Sequence, residues 1–248
     1  WDHSAPAKLD EIMWDKDKSF QRDALDVVEG LCKRYGQHIS LLGIQLLNEP
    51  HWDVCPNVLL AYYREAYRRV MQNSKPDILV FVSSRVGTED DDARLFDIGS
   101  NVVLDIHKYQ CHDVKFNGLD VSMHCDHATE VGKQIACTSA SRLVSVGEWS
   151  AALPRTASDD ENKQFISAQL QAYKKASAGF FWWSYKIENP SKAENGVTFD
   201  TWSFRKCVEK GWLNPEEFRS GTKWSVEEPS SISPPKKAAP RRKFLFFF

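Results

Sequence analysis

Two glutamates, Glu49 and Glu148, carry the clearest chemical signal in this sequence. Glu49 closes the run Leu41-Leu-Gly-Ile-Gln-Leu-Leu-Asn-Glu-Pro50, which reads as a strand buried on both faces and stopped by proline. Glu148 closes a second apolar run, Arg142-Leu-Val-Ser-Val-Gly-Glu-Trp-Ser150. Taken singly, each would pass for an exposed or salt-bridged carboxylate at the start of a loop. As a pair on two strand ends, each followed within three residues by an aromatic, they have what retaining glycosidic chemistry requires. One carboxyl must hold a proton for the leaving oxygen, and the other must be ionised to attack the anomeric carbon.

The elements that must position these residues follow an alternating pattern. A helix is predicted from Asp17, with Phe20, Ala24, Val27, Val28, Leu31 and Tyr35 as its inner face and Gly36 as its stop. Strands are predicted at 41–48, 78–83, 102–109, 142–149 and 180–185. Between them lie a helix capped by Asn57, with Leu60, Tyr63, Tyr67, Val70 and Met71 inward, and a weaker helix from Glu89–Asp92. A long loop at 110–125, a helix over 126–137, and a helix opened by the capping box Ser158-Asp-Asp-Glu161 and stopped by Gly179 follow. A last helix spans Ser203–Leu213. This alternation predicts a parallel sheet covered by helices, either doubly wound or a (β/α)8 TIM barrel. Glu49, His107, Tyr109, Glu148 and Trp183 each fall at a C-terminal strand end, the rim where barrels collect their chemistry. No Gly-rich phosphate loop follows any strand, which speaks against a nucleotide-binding sheet. The expectation is a barrel of which only about the last five βα units are present, since closure takes about eight strands.

Composition narrows the partners. The net charge of −2 gives no nucleic-acid signal, and twelve per cent aromatics with nine tryptophans suit a neutral ligand that stacks. Residues 1–226 are expected to form the barrel, and 227–248 a disordered basic tail with five Lys/Arg against two Glu. The tail ends in Phe244-Leu-Phe-Phe-Phe248, too short to span a bilayer but open to being the start of a membrane anchor. Six cysteines without a CxxC allow up to three disulfides and weakly favour a secretory route, with free buried thiols nearly as well supported. Cys111, His112, His124, Cys125 and His127 crowd one loop, where zinc is conceivable but no finger spacing is matched. A disulfide involving Cys111, Cys125 or Cys137 is the favoured use of that loop, and no metal or cofactor is expected. The pair His51-Trp52 reads either as a sugar subsite or as a loop plug.

Four segments then carry a resemblance. Leu46-Leu-Asn-Glu-Pro50, Ile106-His-Lys-Tyr-Gln110, Val146-Gly-Glu-Trp-Ser-Ala-Ala-Leu153 and Phe181-Trp-Trp-Ser-Tyr-Lys-Ile-Glu-Asn189 resemble, in order, glycoside hydrolase family 5, and within it the fungal-type exo-β-1,3-glucanases. The likeness covers about residues 1–215 and looks like an N-terminally truncated copy. It implies Glu49 as acid/base and Glu148 as nucleophile. It implies Asn48 on the sugar 2-hydroxyl, His107 and Tyr109 lining the site, and Trp183 stacking under the catalytic sugar. Trp1-Asp-His-Ser-Ala-Pro6 resembles the family's third strand end, which adds His3 as a substrate-binding residue. The implied substrate is a β-glucan oligo- or polysaccharide, β-1,3-linked and cut from its end. The implied setting is extracellular or cell-wall, and the chain is expected to act as a monomer. An endo-β-glucanase of the same family is one alternative, and an inactive, carbohydrate-binding incomplete barrel is another.

Overall fold

The computed structural model describes residues 12–87, 97–188 and 199–219. His3, the helix expected from Glu89, and the tail at 227–248 lie outside the described residues. The chain alternates as α1 (Lys18–Tyr35), β1 (Gly43–Gln45), α2 (Pro56–Asn73), β2 (Leu79–Ser83), β3 (Val102–Lys108), α3 (Val121–Ser139), β4 (Leu143–Trp149) and α4 (Asp159–Tyr173). Short helices α5 (Phe204–Glu209) and α6 (Pro215–Arg219) follow. The four strands form one parallel sheet in the order β1-β2-β3-β4. Parallel neighbours must be joined by crossovers, and here each crossover that is described carries a helix. All strands therefore run the same way, and their C-terminal ends share one edge.

Two apolar clusters hold the helices to the sheet. One joins Leu59, Tyr63, Ala66 and Val70 of α2 to Val80 and Val82 of β2. The other joins Val131 and Ile135 of α3 and Ile166, Leu170 and Tyr173 of α4 to Val144, Val146 and Trp149 of β4. Two tyrosines of α2 also reach the strand ends: Tyr62 donates its hydroxyl to the Leu46 carbonyl at 2.8 Å, and Tyr63 to the Ser83 carbonyl at 2.7 Å. Both rings are buried, so these bonds fix where the chain leaves β1 and β2.

Helix signals were legible, with shifts at the ends. Asp17 caps α1 by accepting from the Ser19 amide. The capping box Ser158/Glu161 opens α4 as expected. α2 instead starts one residue before Asn57, with Cys55 as cap and Pro56 in the first turn. α3 begins at Val121 because Asp120 caps it, which shortens the expected loop. Gly36 does stop α1, but with an ordinary helical φ of −58°. Its need for glycine is steric: a Cβ there would collide with the carbonyl oxygens of Cys32 and Asn73 and with Ser74 Oγ.

Three expectations are corrected. Of the predicted inner face of α1, Phe20, Val27, Leu31 and Tyr35 are exposed and Val28 is buried, while Cys32, not assigned to that face, is also buried. α1 packs along α2, and a single helical neighbour covers only a narrow stripe. The strand predicted at 180–185 is reduced to a bridge between Phe180 and Val146. Phe181 and Trp183 still donate to the carbonyls of Val146 and Trp149, but beyond them the chain turns to pair with 202–205. Ser184 donates to the Trp202 carbonyl, and Phe204 and Arg205 donate back to Ser184 and Tyr185. All six cysteines are free, so the expected disulfide at Cys111, Cys125 or Cys137 is absent. Among the described residues no helix is long and apolar enough to cross a membrane.

Candidate active site

The first carboxylate is placed by a break in β1. Regular pairing ends at Gln45, one further bond runs from the Leu46 amide to the Phe81 carbonyl, and the chain then turns at Glu49. Glu49 has φ of +41°, the left-handed region that a glutamate seldom adopts. Such a backbone costs about 1–3 kcal/mol and persists where the surroundings over-determine it, often at functional sites. Buried Pro50 follows, its carbonyl accepting from the Val86 amide.

The second carboxylate is placed by a register shift. β3 and β4 pair regularly up to Ile106 with Val146, then His107 pairs with Glu148 and leaves Gly147 without a partner. Val144, Val146 and Trp149 all join the helix-side core, so Gly147 and Glu148 together occupy the turn of the strand away from it. A bulge of this kind re-aims side chains, and here it sets Glu148 opposite His107.

One oxygen each of Glu49 and Glu148 and a ring nitrogen of His107 lie within 4.8 Å of one another. His107 Nδ1 is 2.7 Å from Glu49 Oε1 and 3.5 Å from Glu148 Oε2, while Nε2 is 3.3 Å from Asp105 Oδ2. Tyr109 donates its hydroxyl to Glu148 Oε2 at 2.8 Å. Burial alone would push His107 down, but its bonds to Asp105 and Glu49 and the negative charges around it hold it up at about 10. Its surroundings therefore favour the protonated imidazolium. Burial raises Glu148 above the usual carboxylate range, and the His107 charge and the Tyr109 hydrogen bond oppose that rise. Burial, then the Glu148 charge, raises Tyr109, which stays a neutral donor.

A family model described as cellulase (glycosyl hydrolase family 5) matches residues 7–189, well over half of the chain. The chain belongs to glycosyl hydrolase family 5. Among curated relatives, a probable glucan 1,3-beta-glucosidase A of Emericella nidulans is 32% identical over 145 residues, covering 57% of this chain and 35% of that one. Glucan 1,3-beta-glucosidase 3 of Schizosaccharomyces pombe is 26% identical over 213 residues, covering 79% of this chain and 41% of its own. This family 5 chain thus spans half or less of the length of these relatives. Among solved structures, rutinosidase from Aspergillus niger is similar with TM-score 0.61 at 17% identity, over 81% of this chain and 60% of that one. Endoglucanase Cel5A from Thermotoga maritima is similar with TM-score 0.56 at 13% identity, over 86% and 69%. Against this fold, the four parallel strands and their helices are an arc of a (β/α)8 barrel.

Of the residues singled out in the sequence, Glu49, His107, Tyr109 and Glu148 converge. Asn48 stands exposed beside Glu49. Trp183 is 54% exposed at the same sheet edge, its amide bonded to the Trp149 carbonyl. Trp182, next to it in the chain, turns inward onto Trp149. His51 is buried against Trp52 at 3.8 Å, so the histidine of that pair acts as a loop plug. In the Cys/His loop, His124 Nδ1 is paired with Gln110 Oε1, and His127 lies edge-on to Phe116.

Sequence reasoning missed three neighbours. Asp105 is 3% exposed on the face of β3 shared with His107, and Gln45 donates to it at 2.9 Å. The period of two from Tyr109 through His107 would have found Asp105. Trp202 lies 5.2 Å from the Tyr109 ring and 5.6 Å from that of His112. It comes from a short turn at Phe199–Trp202 whose approach to β3 has no local sequence signal.

Proposed function

We propose that this chain carries the catalytic carboxylate pair of a retaining β-glycosidase acting on β-glucan, with β-1,3 linkages cut from the chain end. The observation that carries the reading is the close approach of Glu49 and Glu148, with oxygens within 4.8 Å. Retaining enzymes hold their carboxyl groups about 5–5.5 Å apart, and inverting ones about 6.5–9.5 Å apart to admit a water. In this reading Glu148 attacks the anomeric carbon while Glu49 protonates the departing oxygen. Water then enters with Glu49 as base and releases the sugar with its configuration kept. The imidazolium of His107 and the Tyr109 hydroxyl both face Glu148, and both favour its ionised form. Asn48 would meet the 2-hydroxyl and Trp183 the apolar face of the sugar. The linkage rests on the relatives, which are named glucan 1,3-beta-glucosidases. A polymeric glucan of this kind would place the enzyme outside the cell or in the wall.

The test is laminarin hydrolysis followed by proton NMR of the first-formed product. A β-anomer released first supports the reading, and an α-anomer overturns the retaining assignment. Glu148→Gln should abolish turnover. Glu49→Ala should lose about 10²–10⁴-fold on natural glucan and much less on substrates with activated leaving groups. Equal loss on both would refute Glu49 as the acid.

A second reading, carbohydrate binding without turnover, is decided by the same test. Laminarin binding with no product at all would put that reading first.

A further inference from the structure

Asp105 is an unusual residue to bury. Among the described residues its charged partner is His107, and its Oδ1 has no hydrogen-bond partner there. A buried carboxylate needs a partner that matches its charge, or it destabilises the fold by several kcal/mol. Its surroundings are built around it. A Cβ on Gly147 would collide with Asp105 Oδ1 and Oδ2, so the glycine leaves the space that the carboxylate fills. Gln45 of β1 reaches across the sheet face to Oδ2, the same oxygen that meets His107 Nε2. With Nε2 committed to Asp105, the other ring nitrogen faces Glu49 at 2.7 Å.

We propose that Asp105, wedged against Gly147 and tethered by Gln45, is a positioning residue that locks the His107 ring with its Nδ1–H directed at Glu49. This rests on the reading of Glu49 and Glu148 as the reacting pair. Asp105 touches no reacting atom in that scheme. It works through His107, as a carboxylate behind a histidine does wherever the ring must hold one orientation and one proton pattern. Among the described residues the groups that face His107 are Asp105 on its own strand, Glu49 beyond β1 and Glu148 on β4. Tyr109 bonds Glu148 from the end of β3 and is neutral. Among the described residues the ring thus sits among three acidic side chains, and Asp105 is the one whose removal leaves both reacting groups in place.

The test uses the chain labelled with 15N-histidine and reads the His107 ring by NMR against pH, beside the pH profile of laminarin hydrolysis. In the parent, both ring nitrogens should be protonated from pH 6 to 8, with a slowly exchanging Nε2–H signal. Asp105→Asn keeps the shape and removes the charge. It should lower the His107 midpoint by about one unit or more and cut kcat/KM by about 100-fold. Asp105→Glu should restore the protonated ring at least in part. An unchanged His107 midpoint in Asp105→Asn overturns the proposal, even where activity falls. If that variant fails to fold, the parent decides: a neutral ring at pH 7, or an unprotonated Nε2, overturns it. A chain without hydrolysis whose His107 midpoint still moves with Asp105 supports the positioning role and counts against the glycosidase reading.

Discussion

Tyr109→Phe isolates one hydrogen bond in the site. The hydroxyl lies 2.8 Å from Glu148 Oε2, and the ring is packed on Trp202 and His112, so phenylalanine keeps the packing and loses the donor. A hydrogen bond to a charged group contributes about 1.5–3 kcal/mol. One pKa unit corresponds to about 1.4 kcal/mol, so Glu148 should rise by about one to two units in the variant. Glu148 is largely buried, with 15% of its side chain exposed, so solvent screens little of this. The sign is fixed by which form the bond favours: the hydroxyl donates to the carboxylate, and its loss favours the protonated acid. If Glu148 must be ionised to attack, the acidic limb of the kcat/KM profile should move to higher pH by the same one to two units, with the alkaline limb in place. Carbon-13 NMR of the labelled glutamate carboxyls reads the same shift without turnover. An acidic limb and a Glu148 titration both unmoved by Tyr109→Phe would refute the assignment of this hydroxyl as the support of the nucleophile.

Further expectations follow from the scaffold. Ser158→Ala removes the cap of α4 and should cost about 1 kcal/mol in urea unfolding. Gly36→Ala places a methyl against the carbonyls of Cys32 and Asn73, so it should cost about 1–3 kcal/mol despite the helical φ at that position. His107 gains its proton on folding, from an ordinary value of 6.5 to about 10. The stability from that gain is complete below pH 6.5 and is lost as pH rises through about 10. The difference in urea midpoint between the parent and His107→Asn should shrink over that window, and a constant difference would contradict it.

Much of this fold could be read from local patterns, because its parallel strands are apolar runs and its helices carry their own caps. The carboxylates were visible for the same reason: a glutamate at the end of a buried run is conspicuous. What escaped depends on partners distant in sequence. The α1 face was misjudged because periodicity shows that residues are apolar but not how many neighbours will cover them. Residues 180–185 read as a strand by composition, yet their backbone bonds are divided between β4 and the 202–205 segment. The even cysteine count left disulfides and free buried thiols open, and Cys32 and Cys207 are free thiols buried in the core. The site's own bulge was signalled only by Gly147, a glycine in a strand interior. Asp105 was passed over although it lies inside the strand predicted at 102–109, two residues before His107 on the same face.

The assignment of Glu148 as nucleophile is tested most directly by trapping. The chain would be incubated with an activated 2-deoxy-2-fluoro-β-glucoside, whose glycosyl-enzyme intermediate turns over slowly, then digested and sequenced by mass spectrometry. The account predicts a single added fluoroglucosyl mass on the peptide containing Val146-Gly-Glu148-Trp-Ser150 and none in Glu148→Gln. Label on Glu49, or turnover of the substrate with no covalent label at any dose, would contradict it.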